Sequence, residues 1–306
     1  MKKGKFMMNP TKTYKIGTRG SALALAQTNW VKAQLEKAYS DDQFEIVVIK
    51  TKGDRIQNIA LDKIGDKGLF VKEIENQLLD GSIDLAVHSM KDMPSQTVDG
   101  LCFADAWECE DARDALILRE VSSLEELKLN ARIGTGSKRR AFQIQKLRND
   151  IQCVGIRGNV ETRLRKMEEE QLDGIIMAVA GLRRLGLENK ITHIFSCEEM
   201  VPACAQGILG IECRSEDKEL LKKLNALSSE QAKLRCDMER AYLKAMDGSC
   251  HVPSGACVQM KDDRLNFYCV HGDENGNNLI QLHLSGSIEE KDQLLQEAIK
   301  TIKEKR

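Results

Sequence analysis

Three groups of residues in this chain are of types and spacings that can do chemistry. The first is the run His88-Ser89-Met90-Lys91-Asp92-Met93-Pro94. It follows Ile83 to His88, which reads as a short apolar strand, and Pro94 forbids simple continuation as a helix or central strand. Lys91 and Asp92 are therefore delivered together to the mouth of a sheet. There a cation can bind an anionic substrate beside a carboxylate that moves protons or stabilises developing positive charge. The competing reading is an exposed Lys-Asp pair that contributes little.

The second group is a set of arginines at strand and helix junctions: Arg19, Arg139, Arg140, Arg157, Arg163 and Arg184. A guanidinium binds carboxylate through two parallel hydrogen bonds and stays charged when partly desolvated. Arg139 and Arg140 fall in the first turn of a helix, where cations oppose the macrodipole, so something else must account for them. Any one of these arginines reads as solvated surface. Six at such junctions read as a receptor for a ligand with many carboxylates. The third group is Cys250, in Asp247-Gly248-Ser249-Cys250-His251-Val252-Pro253-Ser254-Gly255. Gly, Ser and Pro mark an exposed turn, so its sulfur is reachable, and nearby cations would give it thiolate character. A structural cysteine, or a Cys–His nucleophile with His251, are the alternatives.

The elements that must position these groups alternate in type. Tyr14 to Thr18 reads as a strand, Ser21 as the cap of a helix with Leu23, Ala26, Trp30 and Ala33 on one face, and Phe44 to Lys50 as a β-branched strand. Phe70 to Asp80 reads as a helix stopped by Gly81. The pattern restarts with a strand from Arg132 to Thr135, a helix opened by Ser137, a strand from Gln152 to Ile156, a helix from Asn159 to Leu172 and a strand from Asp173 to Val179. Ile16-Gly17-Thr18 before Ser21 and Ile133-Gly134-Thr135 before Ser137 point to two related halves, each with a glycine turn leading into a helix start. Such β-α-β alternation implies mainly parallel sheets, with ligands at the strand ends. Ile208 to Cys213 reads as a strand returning to the first half. A helical stretch from Glu216 to Ala245 follows, then strands near Ala256 to Met260, Leu265 to Val270 and Leu279 to Leu284, and a helix from Ile288 to Lys305. The expected boundaries are 1–107 with 208–226, then 108–207, then 227–306 as a smaller α+β domain with an antiparallel sheet.

Composition narrows the function classes. The 306 residues are 42% hydrophobic and 30% charged, with a formal charge of -1, which excludes a disordered chain and leaves no bulk field to recruit nucleic acid or an anionic membrane. The ten cysteines contain no CxxC pair, so no zinc or other metal site is read from them, and most are expected to be small buried hydrophobes. Met1 to Thr13 is basic without an apolar run and no stretch is long enough to span a bilayer, so a reducing cytoplasm is the expected location.

Taken in order, the segments resemble the porphobilinogen deaminase (hydroxymethylbilane synthase) family. They are Gly17-Thr18-Arg19-Gly20-Ser21, Lys67-Gly68-Leu69-Phe70-Val71-Lys72-Glu73, His88-Ser89-Met90-Lys91-Asp92, Arg139-Arg140, Arg157-Gly158-Asn159-Val160, Ala178-Val179-Ala180-Gly181-Leu182, Gln206-Gly207, Gly210-Ile211-Glu212-Cys213-Arg214 and Gly248-Ser249-Cys250-His251-Val252-Pro253. The resemblance implies two domains similar in fold to periplasmic-type binding proteins and a third that carries a dipyrromethane cofactor, thioether-linked to Cys250. Four porphobilinogen molecules would be joined head to tail, each losing ammonia, before water releases hydroxymethylbilane. By the same resemblance Asp92 is the catalytic carboxylate. Arg19, Ser21, Lys91, Ser137, Arg139, Arg140, Arg157, Arg163 and Arg184 bind cofactor and substrate carboxylates, and the protein is a monomer. Lys63 and Lys67, just before and within the Gly-bearing segment Gly65 to Gly68, would belong to a mobile lid. Lys138, Ala112 and His251 stand where the family pattern more often has leucine, proline and glutamine. The rival to this reading is a two-lobed, non-enzymatic protein that binds a small polycarboxylate.

Overall fold

The computed structural model describes residues 12–51, 71–246, 252–276 and 278–305. Three sheets organise them. The first has the order β2-β1-β3-β10-β4, from β1 (Thr13–Thr18), β2 (Gln43–Val48), β3 (Leu85–Ser89), β4 (Leu101–Phe103) and β10 (Leu209–Arg214). β1 pairs parallel with β2 and β3, whereas β10 pairs antiparallel with β3 and β4. The second has the order β7-β6-β8-β5-β9, from β5 (Asp114–Leu118), β6 (Arg132–Gly134), β7 (Gln152–Val154), β8 (Gly174–Ala178) and β9 (His193–Ile194). β6 pairs parallel with β7 and β8, and β5 antiparallel with β8 and β9. The two sheets thus share one plan, in which a single strand runs against the other four. Each reversed strand follows a crossover: β5 follows residues 104–113 and β10 follows residues 195–208.

The helices have the apolar faces and caps their sequences announce. Ser21, Ser137 and Asn159 accept from the backbone N–H three residues on, at 3.3, 3.5 and 2.8 Å, and so open α1 (Ala22–Ala38), α3 (Lys138–Leu147) and α4 (Val160–Glu169). α2 (Lys72–Leu79) buries Ile74 and Leu78. α5 (Val179–Arg184) follows β8 directly. The helical stretch expected from Glu216 onward is two helices, α6 (Lys218–Asn225) and α7 (Glu230–Ala245). Ser229 breaks it by capping α7 through Ala232 N at 3.3 Å.

The third sheet is antiparallel, β11 (Ser254–Lys261), β12 (Arg264–His271) and β13 (Ile280–Gly286). Its core joins Tyr242 of α7, Phe267 of β12 and Leu294 and Ile302 of α8 (Lys291–Lys305). The opposite face of α7 presents Ala232 and Cys236 to a cluster containing Met90, Met93, Ala106, Ala205 and Ile208. One helix therefore packs on the third sheet with one face and on the crossovers with the other. The cysteines among the described residues are free, and Cys197, Cys204, Cys213, Cys236, Cys257 and Cys269 are buried.

Two expectations need correction. Gly17 and Gly134 lie inside β1 and β6, not in turns. A Cβ on Gly17 would stand 2.3 Å from Ile83 Cδ1, and one on Gly134 2.8 Å from Leu172 Cδ1, so both are there for close packing. Strands β4, β5 and β9 are additions to the alternation expected from the sequence, and β5 carries a residue central to the site.

Candidate functional site

Lys91 and Asp92 sit in a single 3-10 turn, Met90–Asp92, directly after β3. Met90 N donates to Ile208 O at 3.0 Å and Met93 N to Met90 O at 3.1 Å. Met90 and Met93 are both buried, three residues apart, and anchor the turn from below. That leaves Lys91 half-buried and Asp92 exposed. Beneath the turn, His88 Nε2 and Glu212 Oε2 lie 3.1 Å apart across the β3–β10 ladder, both side chains buried. Lys91 Nζ donates to Gln206 Oε1 at 3.1 Å. Burial pulls the Lys91 ammonium down to about 8, with Arg140 and Arg139 pushing the same way and Asp92 and Asp114 opposing.

Facing this turn is the start of α3. Arg139 and Arg140 are buried, and their common partner is Asp114, the fully buried first residue of β5. Arg139 Nη1 donates to Asp114 Oδ2 at 2.7 Å and to Val201 O at 2.6 Å. Arg140 reaches Asp114 Oδ1 through Nε at 3.0 Å and Nη2 at 2.7 Å, and Ile176 O through Nη1 at 3.1 Å. Burial alone would raise the Asp114 carboxyl, but the two guanidiniums outweigh it and hold the group well below the usual carboxylate range. Here is the reason two cations stand in a first helical turn against the macrodipole.

Gln206, on the crossover before β10, completes the connection. Its Oε1 accepts from Lys91 and, at 3.5 Å, from Arg140 Nη2, while its Nε2 donates to Ala112 O at 2.6 Å and Asp114 Oδ1 at 2.8 Å.

The remaining arginines divide between this group and the crossovers. Arg163 donates from Nε to Gly158 O at 2.8 Å. Burial lowers its pKa, the like charges of Arg140 and Arg157 lower it further, and Asp92 opposes them, so these four groups share one field. Arg19 is half-buried just beyond β1, beside the Ser21 cap. Arg184 reaches the residue that follows Gln206. It donates from Nη2 to Gly207 O at 2.7 Å and borders a cavity of about 220 Å³ with Ala26, Trp30, Glu108, Cys109 and Glu110. Cys250, His251, Lys63 and Lys67 lie outside the described residues. Asp114 and Gln206 escaped the sequence reading as site residues. For Asp114 a signal existed, a charged residue opening an unbroken apolar run, whereas Gln206 is marked only by the Gln206-Gly207 segment of the resemblance, with no role attached.

This arrangement suits a ligand with several carboxylates. The exposed carboxylate of Asp92 acts on Lys91 and Arg163, Arg163 also feels Arg140 and Arg157, and Asp114 is enclosed between Arg139 and Arg140. A dipyrromethane bearing acetate and propionate groups fits that donor set.

Comparison with known proteins points the same way. Residues 14–222 match the family model described as the porphobilinogen deaminase, dipyromethane cofactor binding domain, and residues 233–304 match its C-terminal domain. The porphobilinogen deaminase of Clostridioides difficile (strain 630) is 50% identical over 274 residues, covering 89% of this chain and 91% of that protein. That of Clostridium novyi (strain NT) is 47% identical over 283 residues, covering 91% and 94%. Family models over both parts of the chain, and relatives matched over nearly their whole length, establish that this chain belongs to the porphobilinogen deaminase family.

Proposed function

We propose that this chain joins four porphobilinogen molecules into linear hydroxymethylbilane and that Asp92 is the carboxylate on which each addition turns. The observation that carries the proposal is one exposed carboxylate, Asp92, that acts on both the Lys91 ammonium and the Arg163 guanidinium, with Arg140 and Arg157 acting on Arg163 as well. In each round the aminomethyl C–N bond breaks and its electron pair leaves with ammonia. A pyrrole carbon of the neighbouring ring forms the new C–C bond and then loses its proton. Asp92 stabilises the positive charge that develops as ammonia departs and takes up the proton from the joined ring. Lys91, Arg140, Arg157 and Arg163, with Arg19 and the helix starts at Ser21 and Ser137, bind the acetate and propionate groups. Arg139 and Arg184 belong to the same set of carboxylate ligands, and they also brace the frame, through Asp114 and Val201 O in one case and Gly207 O in the other. Bound dipyrromethane supplies the growing end to which each unit is added.

The division 1–107 with 208–226, 108–207 and 227–306 accompanies this reading, as do a monomeric state and a cytoplasmic location. Among the described residues no helix is long and apolar enough to cross a membrane. A non-enzymatic polycarboxylate-binding protein finds no support beside the match to the C-terminal domain of the enzyme family. Intact mass under denaturing conditions tests the proposal. The purified chain carries an excess of two pyrrole units, and Cys250→Ser abolishes it. An unmodified chain with full activity overturns the reading.

A further inference from the structure

The Gln206 amide has five partners, and their chemistry dictates which way it points. Its oxygen faces two donors, Lys91 Nζ and Arg140 Nη2, and its nitrogen faces three acceptors, Ala112 O, Arg113 O and Asp114 Oδ1. Rotating the amide by half a turn would set N–H against both cations and oxygen against a carboxylate. The main chain on either side is equally constrained. Ala205 has φ +59 and Gly207 φ +90, both left-handed. Ala205 N donates to the buried Glu239 Oε2 at 2.6 Å, Arg235 Nη2 donates to Gln206 O, and Gly207 O accepts from Arg184 Nη2 at 2.7 Å and Glu110 N at 3.2 Å. A Cβ on Gly207 would lie 2.3 Å from Glu110 O. A non-glycine residue persists in such a conformation where its surroundings over-determine it.

Lys91 follows a strand of the first sheet, whereas Arg140 and Asp114 belong to elements of the second. Both cations must stay charged and available to an incoming carboxylate, yet they repel each other. A neutral amide oxygen between them offsets the repulsion without neutralising either charge. A carboxylate in its place would compete with the ligand and lie against Asp114 Oδ1.

We propose that Gln206 is a positioning residue for substrate binding: it holds the Lys91 ammonium and the Arg140 guanidinium at a fixed separation across the boundary between the two sheets, as a paired receptor for one substrate carboxylate. The proposal rests on the reading of Lys91 as a carboxylate ligand. Gln206 touches no reacting atom in it and acts through Lys91. Charged groups facing Lys91 are Asp92 on its own turn, Arg139 and Arg140 on α3, and Asp114 on β5.

The test uses the purified holoenzyme and three variants. Gln206→Met keeps the volume and removes all five side-chain hydrogen bonds, and it is expected to raise KM for porphobilinogen about tenfold with a smaller effect on kcat. Lys91→Met raises KM comparably, and the double variant adds less than about threefold to either. Independently of turnover, titration of the Lys91 ε-carbon by NMR moves down in Gln206→Met, which loses an acceptor. In the isosteric Gln206→Glu it moves up by about one unit. Movement in opposite directions is not what a merely structural residue would produce. If Gln206→Met does not fold, Gln206→Glu carries the test through that upward movement. Effects that multiply in the double variant, or a Lys91 titration unmoved in every folded variant, overturn the proposal. If Lys91→Met alone binds substrate normally, the reading of Lys91 fails first and removes this inference with it.

Discussion

Asp114 Oδ1 lies 2.7 Å from Arg140 Nη2 and 3.0 Å from Arg140 Nε, with both side chains buried. Arg139 takes the other carboxylate oxygen at 2.7 Å. A buried carboxylate between two guanidiniums leaves the cluster with net positive charge, directed toward Lys91 and the exposed Asp92. The ion cluster therefore fixes the start of α3 and sets the sign of the site at the same time.

Replacing Asp114 by Asn should strip two buried guanidiniums of their counter-charge. The expected loss of stability is about 3–5 kcal/mol, measured by denaturant unfolding. The pH dependence follows from the depressed carboxyl. Its contribution is fully present above the unfolded-state pKa and is lost as pH falls below about 4. The Asn variant should be less stable at neutral pH and lose less on acidification. A loss below about 1 kcal/mol would mean that the guanidiniums find other partners.

What could be read from the chain and what could not separates by distance along it. The caps at Ser21, Ser137 and Asn159 were legible because the bond closes within three residues. The Lys91-Asp92 turn was legible because an apolar strand and a proline bracket it. Arg139 and Arg140 stand out in the sequence because they violate the helix dipole, but the residue that resolves the violation lies 25 and 26 positions earlier. Asp114-Ala115-Leu116-Ile117-Leu118 is a fully buried strand, and its leading charge belonged to a ligand or an ion pair from the outset. Gln206 lies 115 positions from Lys91 and 92 from Asp114, and the segment Gln206-Gly207 that carries it in the resemblance says nothing of those partners. Gly17 and Gly134 show the opposite error, a correct motif with the wrong cause, because packing beneath the strand and not a turn requires the missing Cβ.

The pH dependence of catalysis should carry the signature of Lys91. Burial lowers this group to about 8, so the ammonium that meets a carboxylate is lost as pH rises through that value. In kcat/KM, which reports the free enzyme, an alkaline limb is expected near there. In kcat the limb should lie higher, because a bound carboxylate holds the proton in place. Lys91→Arg should remove both limbs, since guanidinium keeps its charge. A wild-type kcat/KM profile that stays flat to about pH 10 would exclude a binding role for this ammonium.

Arg157 shares the field of Arg163, Arg140 and Asp92. Arg157→Ala removes one cation from a site whose ligand gains two carboxylates with every unit added. The expected result is incomplete loading with the pyrrole primer or arrest after the first additions, visible as a changed ladder of intact masses. A ladder matching the wild type would separate Arg157 from the growing chain.

Asp92→Asn isolates charge from shape. The side chain is exposed at the end of a turn held from below by Met90 and Met93, so stability should change by no more than about 0.5 kcal/mol. Lys91, Arg140, Arg157 and Arg163 are untouched, so substrate carboxylates should still be captured. An amide can neither stabilise the positive charge that appears as ammonia leaves nor accept the proton from the joined ring, and the expected loss in turnover is about 10²–10⁴-fold. Ammonia release in a single turnover, measured beside porphobilinogen binding, separates the two effects. Capture without release assigns Asp92 to the chemistry. Release at the wild-type rate would move the proton transfer to another group, and loss of capture with release intact in the bound fraction would make Asp92 a binding residue.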